Sequence, residues 1–443
     1  MRIAKVETKQ GAVRGVEKQG YSVYRGIPYA KAPVGELRFC PPQAPEAWEG
    51  VRDCSRFGAR SMQADQPEGS FYQKEFFADE DFLPPASEDS LYLNIWTPAQ
   101  AETDRLPVAF WIHGGAFTGG FGSEMEFDGA AFCRKGVILV TVNYRMGVFG
   151  FLAHPWLSKR GGQGAANNGL LDQAAALRWV RENIAGFGGD PARITAFGQS
   201  AGSISVQALL SSRQTGGMIA GAILQSAAGY KTGVNRDRSV EEAEAIGVQF
   251  TDFASITSCG QLLAMPAQDL SRLTGQFFMR RMQEKVSGLP FAPVIDGAFL
   301  TEGFDAVIEK GLHPDIPYMI GSTKNDLGVT PEMLQSDTKS PLYEGCVNWS
   351  LRNEALGRRP SYVYYFTRQL LGDDQGAFHS SELWYEFGTL ERSWRPKEPA
   401  DYALSERMVA YWTNFIKTGD PNAEGLPDWK PCTAETRYVR ELS

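Results

Sequence analysis

Gly198-Gln199-Ser200-Ala201-Gly202 is a G-x-S-x-G pentapeptide that occurs once in the chain. It follows the apolar run ITAF (194–197) and opens the stretch SAGSISVQALL, whose pattern predicts a helix. A serine at such a strand-to-helix corner sits on a turn so tight that a Cβ two residues to either side would strike a neighbouring element, which accounts for both glycines. The hydroxyl is then presented for attack on an acyl carbon. An ordinary Gly-rich turn with Ser200 as a helix cap is the alternative, and the strand before and helix after favour the nucleophile.

A serine nucleophile needs a base, and the chain has four histidines: His113, His154, His313 and His379. Behind a nucleophile elbow the acid and then the base follow in the chain, which removes His113 and His154. His313 stands immediately before the apolar run IPYMI (316–320), at the amino end of the strand that run predicts. His379 follows YVYYF (362–366) in the loop LLGDDQGAFHSSE, at a strand's carboxyl end, where ligands bind, so His379 is assigned as general base. Asp326 is the first carboxylate beyond IPYMI, between Ser200 and His379, and is assigned as the acid that fixes the tautomer of His379; Glu332 is the fallback, and an Asx-turn is the alternative role for Asp326. His113-Gly114-Gly115-Ala116 follows the run LPVAFWI (106–112) and matches the H-G-G-G type of loop whose N–H groups bind an oxyanion. Donors are expected from Gly115, Ala116 and Ala201, each stabilising the transition state by roughly 3 kcal/mol. His113 is read as an anchor of that loop.

These groups must be carried by a sheet. The runs LPVAFWI, VILVTV (137–142), ITAF, GAILQ (221–225), IPYMI and YVYYF are continuously apolar rather than alternating, as in strands buried on both faces. Between them LLDQAAALRWVRENI (170–184) gathers Leu171, Ala174, Ala175, Trp179 and Val180 on one helical face and stops before Gly186 and Gly188. Strand, helix, strand predicts a doubly wound, mostly parallel α/β sheet. Without repeats or linkers, residues 1–443 read as one large domain.

Composition narrows the partners. The chain is 43% hydrophobic and 22% charged, without any run of the roughly 18 apolar residues a membrane helix needs. Residues 1–10 mix charge with apolar side chains and show no secretory h-region. A formal net charge of -8 argues against nucleic acid and anionic membranes and suits small neutral substrates. Cysteines 40, 54, 133, 259, 346 and 432 show no zinc-ligand spacing and read as free thiols in a reducing, cytoplasmic setting.

The sequence resembles the type-B carboxylesterase family, which includes cholinesterases and bacterial para-nitrobenzyl esterases. The resemblance runs through YRGIPYAKAPVGELRF (24–39), EDSLYLNIW (88–96), VNYRMGVFGF (142–151), FGGDPARITAFGQSAG (187–202) and GAFHSSELWYEFG (376–388). It implies an α/β-hydrolase fold with an N-terminal β extension and helical insertions over the pocket, and ester hydrolysis through an acyl-enzyme without metal or organic cofactor. Its three catalytic motifs fall on Ser200, Asp326 and His379. The chain departs from the family pattern in having Asp326 where Glu is common, neutral Gln199 where Glu is frequent, and Ser61 and Ser90 where many relatives pair two cysteines. It is also shorter than typical members around residues 330–359.

Substrate contacts are expected from Phe117, Gln199, Phe71 and Phe76. The segment 71–85 (FYQKEFFADEDFLPP) is read as lying over the pocket mouth and holding apolar or aromatic parts of an ester, with a surface excursion packed on the body as the alternative. The function read is hydrolysis of small to medium, short-acyl or aromatic carboxylic esters. A feruloyl-type or other specialised esterase, a peptidase or lipase on the same scaffold, and a catalytically silent binding or adhesion homologue are the competing readings.

Overall fold

The computed structural model describes residues 5–161, 165–234 and 237–443; residues 1–4 of the amino-terminal stretch lie outside it. Ten strands form one mixed sheet: β1 (Val16–Lys18), β2 (Tyr21–Pro28), β3 (Tyr92–Thr97), β4 (Leu106–Ile112), β5 (Ile138–Val142), β6 (Gly189–Gln199), β7 (Gly221–Gln225), β8 (Tyr318–Thr323), β9 (Tyr362–Phe366) and β10 (Arg440–Leu442). Their spatial order is β10-β9-β8-β7-β6-β4-β5-β3-β2-β1. From β10 through β5 every neighbouring pair is parallel, whereas β3, β2 and β1 add antiparallel strands at one side. A separate three-stranded sheet of Lys5–Thr8, Gly11–Arg14 and Val51–Asp53 supplies the expected amino-terminal β extension.

Because both faces are covered, alternate residues of each strand enter different cores. In β4, Val108, Phe110 and Ile112 join the core that contains Leu170, Leu177 and Val180 of helix α2 (Asn168–Asn183) and Val206 and Leu209 of helix α3 (Ala201–Ser211). Ala109 and Trp111 point the other way, into the core that holds Leu404, Met408, Trp412 and Phe415 of helix α4 (Pro399–Thr418). This two-sided burial is what the continuous apolar runs encode. The runs 106–112 and 362–366 coincide with β4 and β9. β6 is longer than ITAF: it starts at Gly189, with a register shift against β4 between Gly189 and Ile194, so Asp190-Pro191 lies within the bulged strand.

The α2 helix is buried more widely than a single apolar face. Ala174, Trp179 and Val180 are buried and Leu171 and Ala175 half-buried, but Asp172 and Gln173 are buried too. Asp172 accepts hydrogen bonds from Arg145 Nε at 2.8 Å and Nη2 at 2.7 Å, and Gln173 donates to Ser205 Oγ at 3.0 Å. Each of these two buried polar side chains thereby has a partner, as burial requires. Helices at Val240–Phe253, Cys259–Ala264 and Ala267–Gln283 are inserted between β7 and β8. No described helix is long and apolar enough to cross a membrane.

Candidate active site

β6 ends at Gln199 and α3 begins at Ala201, leaving Ser200 alone on the corner with φ 57° and ψ −126°. A positive φ is strained for a side chain with a Cβ, and here the surroundings fix it: the Ser200 N–H donates to the Gln225 carbonyl at 2.8 Å, one strand over on β7. The flanking glycines have the steric cause read from the sequence. A Cβ on Gly198 would lie 2.6 Å from the carbonyl oxygen of Gly202 and 2.8 Å from that of Ile112, and one on Gly202 would run into the Ile112 carbonyl.

Asp326 and His379 come from the loops after β8 and β9. An isolated parallel bridge joins Asn325 to Phe378, with the Asn325 N–H donating to the Ala377 carbonyl at 2.9 Å and the Asn325 side chain accepting from the Ala377 N–H at 3.1 Å. The residue after each bridge partner is therefore brought to the same place. His379 Nδ1 lies 2.6 Å from Asp326 Oδ1, and the carboxylate also accepts the N–H groups of Leu327 (Oδ1, 2.8 Å) and Thr323 (Oδ2, 2.9 Å). Burial opposes ionisation of Asp326, but the charge and hydrogen bond of His379 and the Thr323 N–H outweigh it and hold the carboxyl below its ordinary value. An ionised, fully buried acid on Nδ1 leaves Nε2 as the ring nitrogen free to act as base.

Ser200 and His379 line one cavity of about 310 Å³, together with Gln199, Gly114, Gly115 and Ala116. Among the described residues no hydrogen bond joins Ser200 Oγ to the imidazole. The Gln199 amide nitrogen instead lies 3.2 Å from His379 Nε2 and 3.4 Å from Nδ1. The glycine loop presses on the nucleophile, since a Cβ on Gly114 would come within 3.1 Å of Ser200 Cβ. Gly115, Ala116 and Phe117 all have positive φ (99°, 54° and 57°), which turns the chain sharply past the serine. Among the described residues no hydrogen bond uses the N–H of Gly115, Ala116 or Ala201. Gly115 and Ala116 line the cavity, whereas Ala201 sits at the amino end of α3 directly behind it.

The remaining histidines are occupied elsewhere. His113 is buried, stacks on Tyr144 with ring centroids 4.5 Å apart and contacts the Gly114 carbonyl through Nδ1; burial pushes its pKa down to about 4. His313 contacts Asn353 Oδ1 at 2.7 Å and packs on Trp349, and His154 contacts Thr251 at 3.3 Å. Glu332 is exposed, at the start of the helix Pro331–Gln335.

Of the four substrate contacts expected, Gln199 and Phe76 line the cavity and two residues do not. Phe117 turns into the core against Phe151 (5.0 Å between centroids) because its positive φ carries the side chain away from the loop's cavity side. Phe71 packs edge-on against Phe378, 4.9 Å away, on the flank of the histidine loop. Helix α1 of the 71–85 segment (Phe71–Phe76) instead offers Tyr72 and Phe76 to the cavity, followed by Phe77. It is held there by buried Glu75, which accepts from Trp384 Nε1 and Trp394 Nε1 at 2.9 Å each and pairs with Arg395 at 2.9 Å. Tyr72 and Phe77 fall within the 71–85 segment read as covering the pocket mouth, although neither was singled out; sequence reasoning missed Phe127, Leu327 and Leu383, and two acids, Glu124 and Glu126. The acids follow the glycine loop in FGSEMEF, but acidic side chains read by default as solvated.

None of the six cysteines is disulfide-bonded. Ser61 Oγ and Ser90 Oγ stand 3.0 Å apart in the interior, a hydrogen bond where the resemblance places a cysteine pair.

The Carboxylesterase family profile matches residues 3–349 and 344–443. The para-nitrobenzyl esterase of Bacillus subtilis strain 168 is 34% identical over 98% of this chain and 93% of its own length. The fumonisin B1 esterase of Sphingopyxis macrogoltabida is 40% identical over 72% of this chain and 55% of its own. Among solved structures, a thermophilic para-nitrobenzyl esterase superposes with a TM-score of 0.85 at 32% identity, covering 99% of this chain and 95% of its own. A Geobacillus stearothermophilus carboxylesterase does so with 0.81 at 36%, covering 99% and 96%. The sheet order, the elbow serine and these matches over most of the chain agree: the chain belongs to the carboxylesterase family, as a serine carboxylic-ester hydrolase of the α/β-hydrolase fold.

Proposed function

We propose that Ser200 is the nucleophile, His379 its general base and Asp326 the acid that orients the base, acting on small to medium carboxylic esters with short acyl or aromatic parts. The observation that carries this reading is the 2.6 Å Asp326–His379 contact opening onto the same cavity as Ser200. Substrate entry turns the imidazole from the Gln199 amide toward Ser200 Oγ, a contact that typically tightens only in the Michaelis complex. Nε2 then removes the hydroxyl proton as Oγ bonds to the acyl carbon, and Asp326 stabilises the imidazolium. The carbonyl electrons move onto oxygen, where the N–H groups of Gly115, Ala116 and Ala201 receive them. Collapse breaks the bond to the alcohol oxygen, which takes the proton from His379. Water, deprotonated by the same ring, releases the acid from the acyl-enzyme.

The aromatic wall of Tyr72, Phe76 and Phe77 and the name of the para-nitrobenzyl esterase relative support aromatic esters. The six free thiols support a reducing, cytoplasmic location. The test is release of nitrophenolate from para-nitrophenyl acetate: Ser200→Ala should lower kcat by more than about 10⁴-fold. A variant keeping a tenth of wild-type turnover would reject Ser200 as nucleophile.

A further inference from the structure

The loop that carries Gly115 and Ala116 has open space on two sides. One is the 310 Å³ cavity of Ser200; the other is a cavity of about 290 Å³ walled by Met62, Met146, Val148, Phe278 and Phe291, and Gly115, Thr118 and Gly119 line both. Packing holds a core residue through contacts on every side, and this strip of backbone lacks them where it borders the cavities. A group that receives transition-state charge must nevertheless be held to within about 0.5 Å. Hydrogen bonds to the loop therefore have to set its position.

The return limb of the loop folds back onto its start. The N–H groups of Thr118 and Gly119 donate to the Gly115 carbonyl at 2.9 and 3.0 Å. A Cβ on Gly115 would run into the Gly119 carbonyl, and one on Gly120 would lie 2.6 Å from His113 Nδ1 and 2.8 Å from the Gly114 carbonyl oxygen. Whatever fixes Gly119 and Gly120 thus fixes Gly114 and Gly115. Gly120 is gripped at both of its backbone groups by one side chain: its N–H donates to Gln63 Oε1 at 2.9 Å, and its carbonyl accepts from Gln63 Nε2 at 3.0 Å. Only a carboxamide places an acceptor and a donor side by side without charge. Gln63 Nε2 also donates to the Ser61 carbonyl at 3.1 Å, and Ser61 Oγ donates to the Tyr144 carbonyl at 2.6 Å. The Tyr144 hydroxyl donates in turn to the His113 carbonyl at 3.1 Å. Both ends of the loop are fastened in this way to one support. Gln63 itself lies outside the lining of the Ser200 cavity and touches no reacting atom.

We propose that Gln63 is a positioning residue for the oxyanion, holding the Gly115 and Ala116 N–H groups at the height that the negative oxygen takes above Ser200. The proposal rests on the reading of Gly115 and Ala116 as donors given above and names the side chain that sets them.

The test uses benzyl trifluoromethyl ketone as a mimic of the tetrahedral state. Ser200 Oγ bonds to the ketone carbon, the carbonyl electron pair moves onto oxygen, and the hydroxyl proton passes to His379. Benzyl alcohol, a ground-state ligand without such an oxygen, is the comparison. Both inhibition constants, like KM, are independent of the fraction of enzyme that is folded. Gln63→Leu is expected to lower kcat for para-nitrophenyl acetate by about 10- to 100-fold with KM within about threefold, a smaller loss than the roughly 10²- to 10³-fold of deleting a donor outright. The inhibition constant of the ketone should rise by the same factor as kcat/KM falls, while that of benzyl alcohol stays within about twofold. Gln63→Glu keeps the acceptor for the Gly120 N–H and loses the donor to its carbonyl; it should shift the ketone in the same direction by less, and it carries the test if the leucine variant does not fold. A ketone constant unmoved in the folded variant overturns the proposal, as does an equal rise for ketone and alcohol, the mark of a general distortion of the cavity. Either result, with hydrolysis still dependent on Ser200, leaves the esterase standing. A wild-type enzyme that the ketone inhibits no better than the alcohol sinks the donor reading and the proposal together.

Discussion

Replacing Asp326 with Asn keeps the size of the side chain and removes its charge, and the hydrogen bonds around it determine the effect on catalysis. In the wild type Oδ1 receives His379 Nδ1 and the Leu327 N–H, and Oδ2 receives the Thr323 N–H. Every contact is a donor pointing inward, so the asparagine NH₂ faces an N–H wherever it is placed. If it takes the Oδ2 side it opposes Thr323, and the ring keeps its tautomer but loses the ionised partner that stabilises the imidazolium. If it takes the Oδ1 side it opposes Leu327, and His379 must present Nδ1 as an acceptor, which puts the proton on Nε2 and disables the base. The first outcome forfeits a charge-assisted contact of about 1.5–3 kcal/mol, or roughly 10- to 150-fold in kcat. The second approaches the roughly 10⁴-fold loss known for the wrong tautomer in a serine triad. Asp326→Asn is therefore expected to lower kcat for para-nitrophenyl acetate by at least about 10-fold and up to 10⁴-fold with little change in KM, and to lose about 1–3 kcal/mol of stability from the orphaned N–H. Glu332→Gln, on the exposed helix beyond, is the control and should stay near wild type. Full activity in Asp326→Asn together with loss in Glu332→Gln would refute the assignment and pass the role to the fallback acid.

Tyr72→Ala removes a partly exposed ring from the cavity wall and should raise KM for aromatic esters more than for acetates; equal effects on the two would reject α1 as a substrate wall. Glu382 is fully buried, and burial followed by the charge of Asp326 pushes its carboxyl up from 4.5 to about 7. The folded protein then binds a proton that the unfolded chain releases, so its contribution to stability is complete below the unfolded value, falls as pH rises from there toward about 7, and is gone above it. On the order of 3 kcal/mol is at stake, and Glu382→Gln should flatten the decline of unfolding free energy between those limits; an identical pH profile in wild type and variant would show that Glu382 does not hold its proton.

The parts of this structure that were legible in the sequence share a cause. β4 and β9 could be placed to the residue because a strand buried on both faces has no choice but to be apolar throughout. The antiparallel strands β2 and β3 carry no such mark. β3 buries Asn94 and Thr97, and β2 is broken by a register shift between Tyr24 and Ile27, where the Gly26 N–H turns to the Asn94 side chain. Ser200, Asp326 and His379 could be proposed together because each is the first suitable group beyond the carboxyl end of an identifiable strand. The cavity wall could not, because it depends on rotation about local backbone. Tyr72 and Phe71 are neighbours on α1 and face different partners, and Phe117 is turned inward by a φ of 57° that composition does not announce.

The same distinction explains the state of the site. The Asn325–Phe378 bridge fixes the loops after β8 and β9 to each other, so Asp326 and His379 form a unit whose geometry owes nothing to Ser200. The elbow is fixed separately, by the Gln225 carbonyl and by glycines packed against β4. Two rigid supports meet at one soft contact, where the Gln199 amide now occupies the imidazole. A substrate that draws Gln199 aside has only side-chain rotations to drive, with the costly conformations of Ser200 and Ala116 already set by folding. Under the proposed mechanism, that division of labour places the preorganisation in the backbone, where transition-state charge would be received, and leaves the adjustable element next to the proposed base.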